Sequence, residues 1–579
     1  MAEQSKNPQE DINIIVAGAA GQGMQTIGAI LGKVFVRGGW EVFAMQDNES
    51  RIRGGHNFFQ IRVSHNEVRS ASMPLDILIA LNQESIEIHK HEVSSKGVIL
   101  FDTHNTSIEG DERFFGLPME QLALEKGGAA IFRNSVAIGA TLAILGWDIK
   151  NLENFLEEYF AAKPGLVEGN LKAAHAGFES ALTLASRYHG PKIITKEPKQ
   201  KMFITGHEAV ALGALAAGCQ FMAAYPMSPS TSIMVYLAGK ADDFNMVVEQ
   251  AEDEIAAINM AIGASYAGLR SLTATSGGGF SLMVEAFGLA GVSETPLVVI
   301  EAQRPGPATG LPTRTEQADL LFVLNAAQGE FPRVILAPGN AREAFYQTIK
   351  AFDLAEKYQV PVVIMTDQFL ADSYFTEERF DISGITINRH LLSEKDISDS
   401  KGYKRYRITE SGISPRSTPS SFRLEVVADG HEHDENGHIT EDAQIRKMMV
   451  EKRFRKTTEL AKEINRPKQL GDPKADLLMV GWGSTYGPMA EAIDILTDDG
   501  IPLRGIHLSE LWPFPKGHIA NLITNAKKWA VVENNFTGQL SRLIQMEVLK
   551  MPHKRILKYT GRPFMAQEIV ERFKKEVLD

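Results

Sequence analysis

The feature that most constrains this chain is a succession of buried strand, glycine loop and helix that opens it and returns near its end. Asp11-Ile-Asn-Ile-Ile-Val-Ala17 is a strand-length apolar run, followed by Gly18-Ala-Ala-Gly21-Gln-Gly23, a helical stretch over residues 24–38 and another strand over 41–45. A run without a polar face predicts a strand covered on both sides, and β-loop-α-β units of this kind build parallel sheets. The theme recurs at Ala475-Asp-Leu-Leu-Met-Val-Gly-Trp-Gly483. Between the two, strands are predicted over 77–80 and 98–101, a helical region over 152–185 and a lysine-rich linker over 192–202. From Phe203 to about Ser373 helices alternate with apolar runs, among them parallel strands over 297–302 and 360–366. Residues 380–472 are polar, broken and charged, with one helix near 442–464, and are expected to wrap over the other domains. The expected class is α/β with three doubly wound domains, over residues 1–190, 203–375 and 471–579, and a polar connecting segment over 376–470. Sites in such sheets lie at the carboxyl ends of the strands.

Composition narrows the function. The 579 residues, 44% of them hydrophobic, suffice for several cores, and the net charge of -12 without long basic runs disfavours nucleic acid and anionic membranes. The first ten residues are polar and carry no secretory pattern. The longest weakly charged stretch, 255–284, is interrupted by Arg270 and rich in Gly, Ser, Thr and Ala, whereas a spanning helix needs about 20 strongly apolar residues. A cytoplasmic protein is expected. The one cysteine, Cys219, excludes an internal disulfide and a cysteine-ligated iron–sulfur cluster within the chain, which needs about four thiolates.

Several motifs could carry chemistry. The N-terminal glycines fall at positions one, four and six, with Ala20 at the third, so the loop departs from the dinucleotide fingerprint. It could still contact an anion or coenzyme through free backbone N–H groups, bind NAD, or be a tight turn. Arg51, Arg53, Gly54, Gly55 and His56 could meet phosphate or form a solvated loop. Ala224-Tyr225-Pro226-Met227-Ser228-Pro229-Ser230-Thr231-Ser232 precedes an apolar helix: Ser228 reads as an N-cap with Pro229 at the first helical position, or the hydroxyls ring a carboxylate or phosphate site. Val248-Glu249-Gln250-Ala251-Glu252-Asp253-Glu254 leads into a helix of small and apolar residues. Acids at a helix start favour its dipole, but Glu254 abuts the part that must be buried, where a carboxyl loses its water. Leu272-Thr-Ala-Thr-Ser276-Gly277-Gly278-Gly279-Phe280 reads as a strand and a turn into another helix. The stretch from Glu301 through Arg304, Thr313 and Arg314 to Gln317 follows a buried strand, where arginines are well placed to hold a carboxylate. His431, His433 and His438 lie in a polar loop whose spacing does not put ligands on one helix face, and no metal site is expected there.

Taken together these segments resemble the 2-oxoacid:ferredoxin oxidoreductases of the two-subunit type, in which gamma and alpha portions are fused. The resemblance rests on the N-terminal glycine loop, Tyr225-Pro-Met-Ser-Pro-Ser-Thr-Ser232, Glu249-Gln-Ala-Glu-Asp-Glu-Ile-Ala256, Thr275-Ser-Gly-Gly-Gly-Phe280, Gln303-Arg-Pro-Gly-Pro-Ala-Thr-Gly-Leu-Pro-Thr313 and Val532-Glu-Asn-Asn-Phe-Thr-Gly-Gln539, in that order. It implies a gamma-type domain, a thiamine-diphosphate pyrimidine-binding domain and a transketolase C-terminal-like domain. It further implies that Glu254 hydrogen-bonds the aminopyrimidine N1′ of thiamine diphosphate, with Tyr225 and Pro226 beside the cofactor. Ser228, Arg304 and Thr313 are implied to hold the 2-oxoacid carboxylate. The family more often has Thr at position 228 and Ile at 227. The chain contains no Gly-Asp-Gly diphosphate motif. The resemblance therefore assigns diphosphate, Mg²⁺ and a 4Fe-4S cluster to a beta subunit, in an alpha2beta2 assembly that reduces ferredoxin and uses coenzyme A. The implied reaction is oxidative decarboxylation of a 2-oxoacid, reversible towards CO2 fixation as in a reductive TCA cycle, with 2-oxoglutarate the expected substrate and pyruvate, or several 2-oxoacids, the alternative. An NAD-dependent oxidoreductase and a noncatalytic scaffold subunit are the rival readings.

Overall fold

The computed structural model describes residues 11–51, 54–104, 106, 108, 111–193, 200–393, 395–396, 402–419, 421 and 424–578. The chain divides into two compact units, one running to Ile204 and taking back Ser373–Arg379, the other holding Thr205–Asp372 and Phe380–Asp579.

The first unit is built on a sheet of β1 (Ile12–Ala20), β2 (Glu41–Asp47), β3 (Gly54–Ser64), β4 (Leu75–Ala80), β5 (Val93–Asp102), β6 (Phe114–Leu117), β7 (Met202–Thr205) and β14 (Tyr374–Glu377), ordered β6-β5-β4-β1-β3-β2-β14-β7. Ile12, Ile14 and Val16 of β1 enter one core and Ile15 and Ala17 another, which explains the unbroken apolar run. The expected β1–helix–β2 unit is present but split. β3 lies between its strands, antiparallel to both, while β4, β5 and β6 continue parallel from β1. The region predicted as helical over 152–185 is two helices, Lys150–Tyr159 and Pro164–Ala185. Arg53 and residues 194–199 of the expected linker lie outside the described residues.

The second unit holds two sheets. One, ordered β18-β12-β13-β11-β10-β8-β9, joins β8 (Phe221–Ala224), β9 (Val247–Gln250), β10 (Ser271–Thr275), β11 (Leu297–Gln303), β12 (Val334–Leu336), β13 (Pro361–Asp367) and β18 (Glu510–Trp512). All its pairings are parallel except β12 with β18, a strand lent by the C-terminal region. Every residue of β10, β11 and β13 is buried, each large aliphatic contributing about 1.5–3 kcal/mol. The other sheet, ordered β15-β17-β16-β19-β20, comprises β15 (Lys468–Gly471), β16 (Leu477–Trp482), β17 (Leu503–Leu508), β19 (Lys528–Glu533) and β20 (Lys554–Leu557). One core containing Ala257, Phe280, Val480 and Leu540 runs through both.

The polar segment is tied to this unit by buried charge rather than left in solvent. Glu356 on the helix Ala341–Tyr358 accepts from Arg270 at 2.7 Å and from Arg389 and Arg416 at 2.9 Å. Glu294 is clamped by Lys452 and Lys456 of the helix Ala443–Glu463. Such pairs add little net stability but are costly to break singly, so they specify where the segment lies. Among the described residues no helix is long and apolar enough to cross a membrane.

Candidate active site

Four neighbouring parallel strands, β9, β8, β10 and β11, end on the same edge, and each is followed by one of the motifs. Tyr225 leaves β8, the acidic run leaves β9, Ser276 leaves β10 and Arg304 leaves β11. Segments spread over some 90 residues of chain, from Tyr225 to Thr313, are thus gathered at the carboxyl ends of one sheet.

The structure separates Glu254 from the acids around it. Glu249, Glu252 and Asp253 are exposed, whereas Glu254 is 3% exposed at the first position of the helix Glu254–Tyr266. Asp253 is the N-cap, accepting the Ala256 N–H at 2.8 Å. Helix capping therefore does not require Glu254, and its Oε1 is buried without a hydrogen-bond donor among the described residues. That oxygen faces the turn entering the next helix, Gly277–Val292. A Cβ at position 279 would sit 2.0 Å from Thr275 Oγ1 and 2.7 Å from Glu254 Oε1, so only glycine lets the turn close on the carboxyl.

The loop after β8 is held from three sides. Ser276 Oγ donates to Met227 Sδ at 2.8 Å, Ser230 Oγ to the Met227 carbonyl at 2.8 Å, and Arg304 Nη1 to the Ser228 carbonyl at 2.7 Å. The helix here begins at Thr231 with Ser230 as its cap position, so Ser228 is not the N-cap and Pro229 lies outside the helix. The helix thus starts two residues beyond the expected Pro229, and Ser228 is exposed. Tyr225 is 39% exposed, Pro226 half-buried. Partial burial lowers the Arg304 guanidinium from its ordinary value, yet an arginine stays cationic at neutral pH. Thr313 is half-buried on the same loop as Arg304. That loop closes on itself at Gly310, whose φ is 53° and where a Cβ would fall 1.8 Å from the Pro305 carbonyl oxygen.

Beneath these loops lie His207, which sequence reasoning missed, and Gln317 and the late motif, which it named without a structural role. His207 is buried, with Nδ1 2.9 Å from Ser232 Oγ and Nε2 3.0 Å from Thr366 Oγ1, and burial lowers it to about 3, so the ring is neutral. Gln317 exchanges hydrogen bonds with Asn534, Asn535 and Trp482, and Gln539 receives the Leu321 N–H while donating to the Ala318 carbonyl. The late Glu533–Gln539 motif is thus an anchor for the Arg304 loop. The one-dimensional pattern does not show that these two stretches pair, because they lie far apart in the chain.

In the first unit, Gly21 and Gly23 have φ of 88° and 90°, and Gln22 Oε1 takes the Ala19 N–H at 2.8 Å. Ala20 pairs with Gly54 of the antiparallel β3, so it belongs to the strand and the loop is not that of a parallel dinucleotide-binding unit. Arg51 is exposed and paired with Glu49, while Gly54, Gly55 and His56 begin β3. Of the histidine loop, His433 is buried against Tyr406, with ring centroids 4.0 Å apart, and His431 bonds Asp429. Among the described residues no group of three candidate ligands converges on a metal.

Three family models match: pyruvate ferredoxin/flavodoxin oxidoreductase over residues 13–180, pyruvate flavodoxin/ferredoxin oxidoreductase, thiamine diP-bdg, over 212–452, and pyruvate:ferredoxin oxidoreductase core domain II over 475–569. Fold and site therefore define a thiamine-diphosphate-dependent oxidoreductase. A 2-oxoacid:ferredoxin oxidoreductase alpha subunit of Aeropyrum pernix is 32% identical, over 98% of this chain and 97% of that one. The 2-oxoglutarate oxidoreductase subunit KorA of Mycobacterium tuberculosis is 30% identical, over 97% and 90%. The 2-oxoglutarate:ferredoxin oxidoreductase of Magnetococcus marinus, solved with 2-oxoglutarate, coenzyme A and succinyl-CoA bound, superposes with a TM-score of 0.90 at 33% identity, over 98% of this chain and 99% of that one. The chain belongs to the alpha subunits of the ferredoxin-dependent 2-oxoacid oxidoreductases.

Proposed function

We propose that the chain is the alpha subunit of a coenzyme-A-dependent 2-oxoglutarate:ferredoxin oxidoreductase. The overall reaction is the reversible conversion of 2-oxoglutarate and coenzyme A to succinyl-CoA and CO2, with two electrons passed to ferredoxin. The observation that carries the chemistry is the buried, donor-free Oε1 of Glu254. An unsatisfied buried carboxyl oxygen is unfavourable by itself and fits a partner that brings a ring nitrogen, such as N1′ of the aminopyrimidine. When bound, thiamine diphosphate supplies the thiazolium carbon that attacks a 2-oxoacid and stabilises the resulting negative charge. Glu254 holds the proton at N1′. Tyr225 and Pro226 flank the cofactor. Arg304, with the hydroxyls of Ser228 and Thr313, holds the substrate carboxylate. The choice of 2-oxoglutarate is supported by the likeness to the KorA subunit and to the Magnetococcus marinus enzyme.

The proposal extends to a beta subunit carrying the diphosphate and Mg²⁺ site and a 4Fe-4S cluster, in an alpha2beta2 assembly of the cytoplasm. Its support lies in the single buried cysteine and in the apolar surface beside the site. Val235, Ile255 and Leu282 are 63%, 51% and 52% exposed on the helices that follow β8, β9 and β10. The test is to co-purify both subunits and compare 2-oxoglutarate with pyruvate and other 2-oxoacids, using coenzyme A and a viologen acceptor. The highest kcat/KM is expected for 2-oxoglutarate. A preference for pyruvate would overturn the substrate, and stoichiometric iron on the alpha chain alone would overturn the division of cofactors.

A further inference from the structure

The glycine turn that closes on Glu254 has a second carboxyl on its other side. A Cβ at position 277 would lie 2.3 Å from Asp319 Oδ2. Residues two apart at a helix start point about 200° apart, so the turn is held between Asp319 and Glu254. Asp319 is fixed through its backbone, whose N–H donates to Gln303 Oε1 at 3.1 Å.

Behind Asp319 stands Glu301. It lies on β11 in register with Thr275 of β10, so both side chains leave the sheet on the same face. Glu301 is 0% exposed, and neither of its carboxyl oxygens receives a donor among the described residues. Gln303, two residues further along β11 and on the same face, holds the Asp319 backbone, which brings the Asp319 carboxyl to Glu301. Two carboxylates cannot hydrogen-bond each other, and the contact forms only when one of them carries a proton. Asp367, the third acid on this face, is already supplied by Ser484 Oγ and by the Leu370 N–H at 2.9 Å. Burial, reinforced by Asp319 and Asp367, raises the Glu301 carboxyl well above the ordinary range, and burial raises Asp319 to about 6.

We propose that Glu301 and Asp319 form an acid pair sharing one proton, and that this pair fixes the Gly277–Gly279 turn against Glu254, making Glu301 a positioning residue for the reaction. The role rests on the reading of Glu254 given above; the pair itself does not. Glu301 does not touch the substrate. It donates its proton to Asp319, which leaves a single negative charge at the N-terminus of the helix Gly277–Val292, where the helix dipole accommodates one. With Glu301 ionised, two adjacent buried charges would repel and move the turn.

The test uses the assembled alpha–beta complex at neutral pH. Infrared difference spectra of wild type against Glu301→Gln should contain the C=O stretching band of a protonated carboxyl, and Asp319→Asn, which replaces the carboxylate that accepts the Glu301 proton while Glu301 stays buried, should shift that band. Absence of the band in wild type, or a band at the same frequency in Asp319→Asn, overturns the pair. Glu301→Leu, which removes the donor, should lower kcat about tenfold or more with KM for the 2-oxoacid nearly unchanged, as expected for a lost charge-assisted hydrogen bond that orients the site. Glu301→Gln keeps a donor and should retain several-fold more of the activity than Glu301→Leu. Equal losses in the two variants, or a loss expressed in KM, overturn the positioning role. If Glu301→Leu does not assemble, the kcat comparison of wild type with Glu301→Gln and Asp319→Asn decides instead: the Asn variant should lose more. A fully active Glu254→Gln complex would remove the cofactor reading while the infrared band still reported on the acid pair.

Discussion

Glu254→Gln separates a catalytic carboxyl from an ordinary helix-start acid. The side chain is 3% exposed, and its replacement is nearly isosteric, so packing against Gly279 is kept. The helix keeps its Asp253 cap, and the loss to stability is confined to a charge–dipole interaction of about 0.3–1 kcal/mol. An amide can still hydrogen-bond N1′ but cannot exchange a proton with it. Loss of a general acid–base group lowers rates about 10²–10⁴-fold, which at about 1.4 kcal/mol per tenfold is about 3–5 kcal/mol of transition-state stabilisation. The expected outcome is a fall in kcat of at least about 100-fold, with bound thiamine diphosphate and melting temperature close to wild type. The assay is 2-oxoacid-dependent viologen reduction by the co-purified complex, with cofactor content measured on the same samples. A cofactor-loaded Glu254→Gln complex of full activity would refute the reasoning.

Arg304→Ala removes the cation that holds the Ser228 carbonyl and is proposed to meet the substrate carboxylate, and should lower kcat/KM for the 2-oxoacid about 10- to 100-fold while the cofactor still binds; an unchanged kcat/KM would leave Arg304 a loop tether only. Glu294→Gln leaves Lys452 and Lys456 buried without their shared counter-charge and should destabilise the second unit by about 3–5 kcal/mol in chemical denaturation; a loss below about 1 kcal/mol would show the pairs to be incidental. His207 is lowered by burial from 6.5 to about 3, so the unfolded chain takes up the proton first. Its contribution to stability is therefore full above pH 6.5 and is lost as pH falls towards 3, with a slope approaching about 1.4 kcal/mol per pH unit, and His207→Gln should flatten the pH dependence of the denaturation midpoint in that window; parallel curves would contradict the buried neutral ring.

What the sequence determined by itself is the set of elements and the local chemistry. The apolar run of β1, the glycine loop and the parallel strands around Val299 and Val363 were legible because burial on both faces leaves a periodicity, or its absence, in the chain itself. The motifs after β8, β9, β10 and β11 were legible because turn and helix-start residues are local signals. Tertiary structure decided how far each member of a motif is buried. The small-residue helix pointed to Glu254 among the acids before it, and its 3% exposure is set by what packs there from elsewhere. The split of the β1–β2 unit by β3 was invisible, since strand order is set by long-range pairing and not by any residue of β1. The charged segment over 376–470 was expected to wrap over the other domains, but what fastens it was not legible, because the partners of its arginines and lysines, Glu356 and Glu294, lie some tens of residues or more away in sequence. Glu301 read as one residue of a buried strand; that its carboxyl is fully buried with no donor among the described residues was decided by what packs around it.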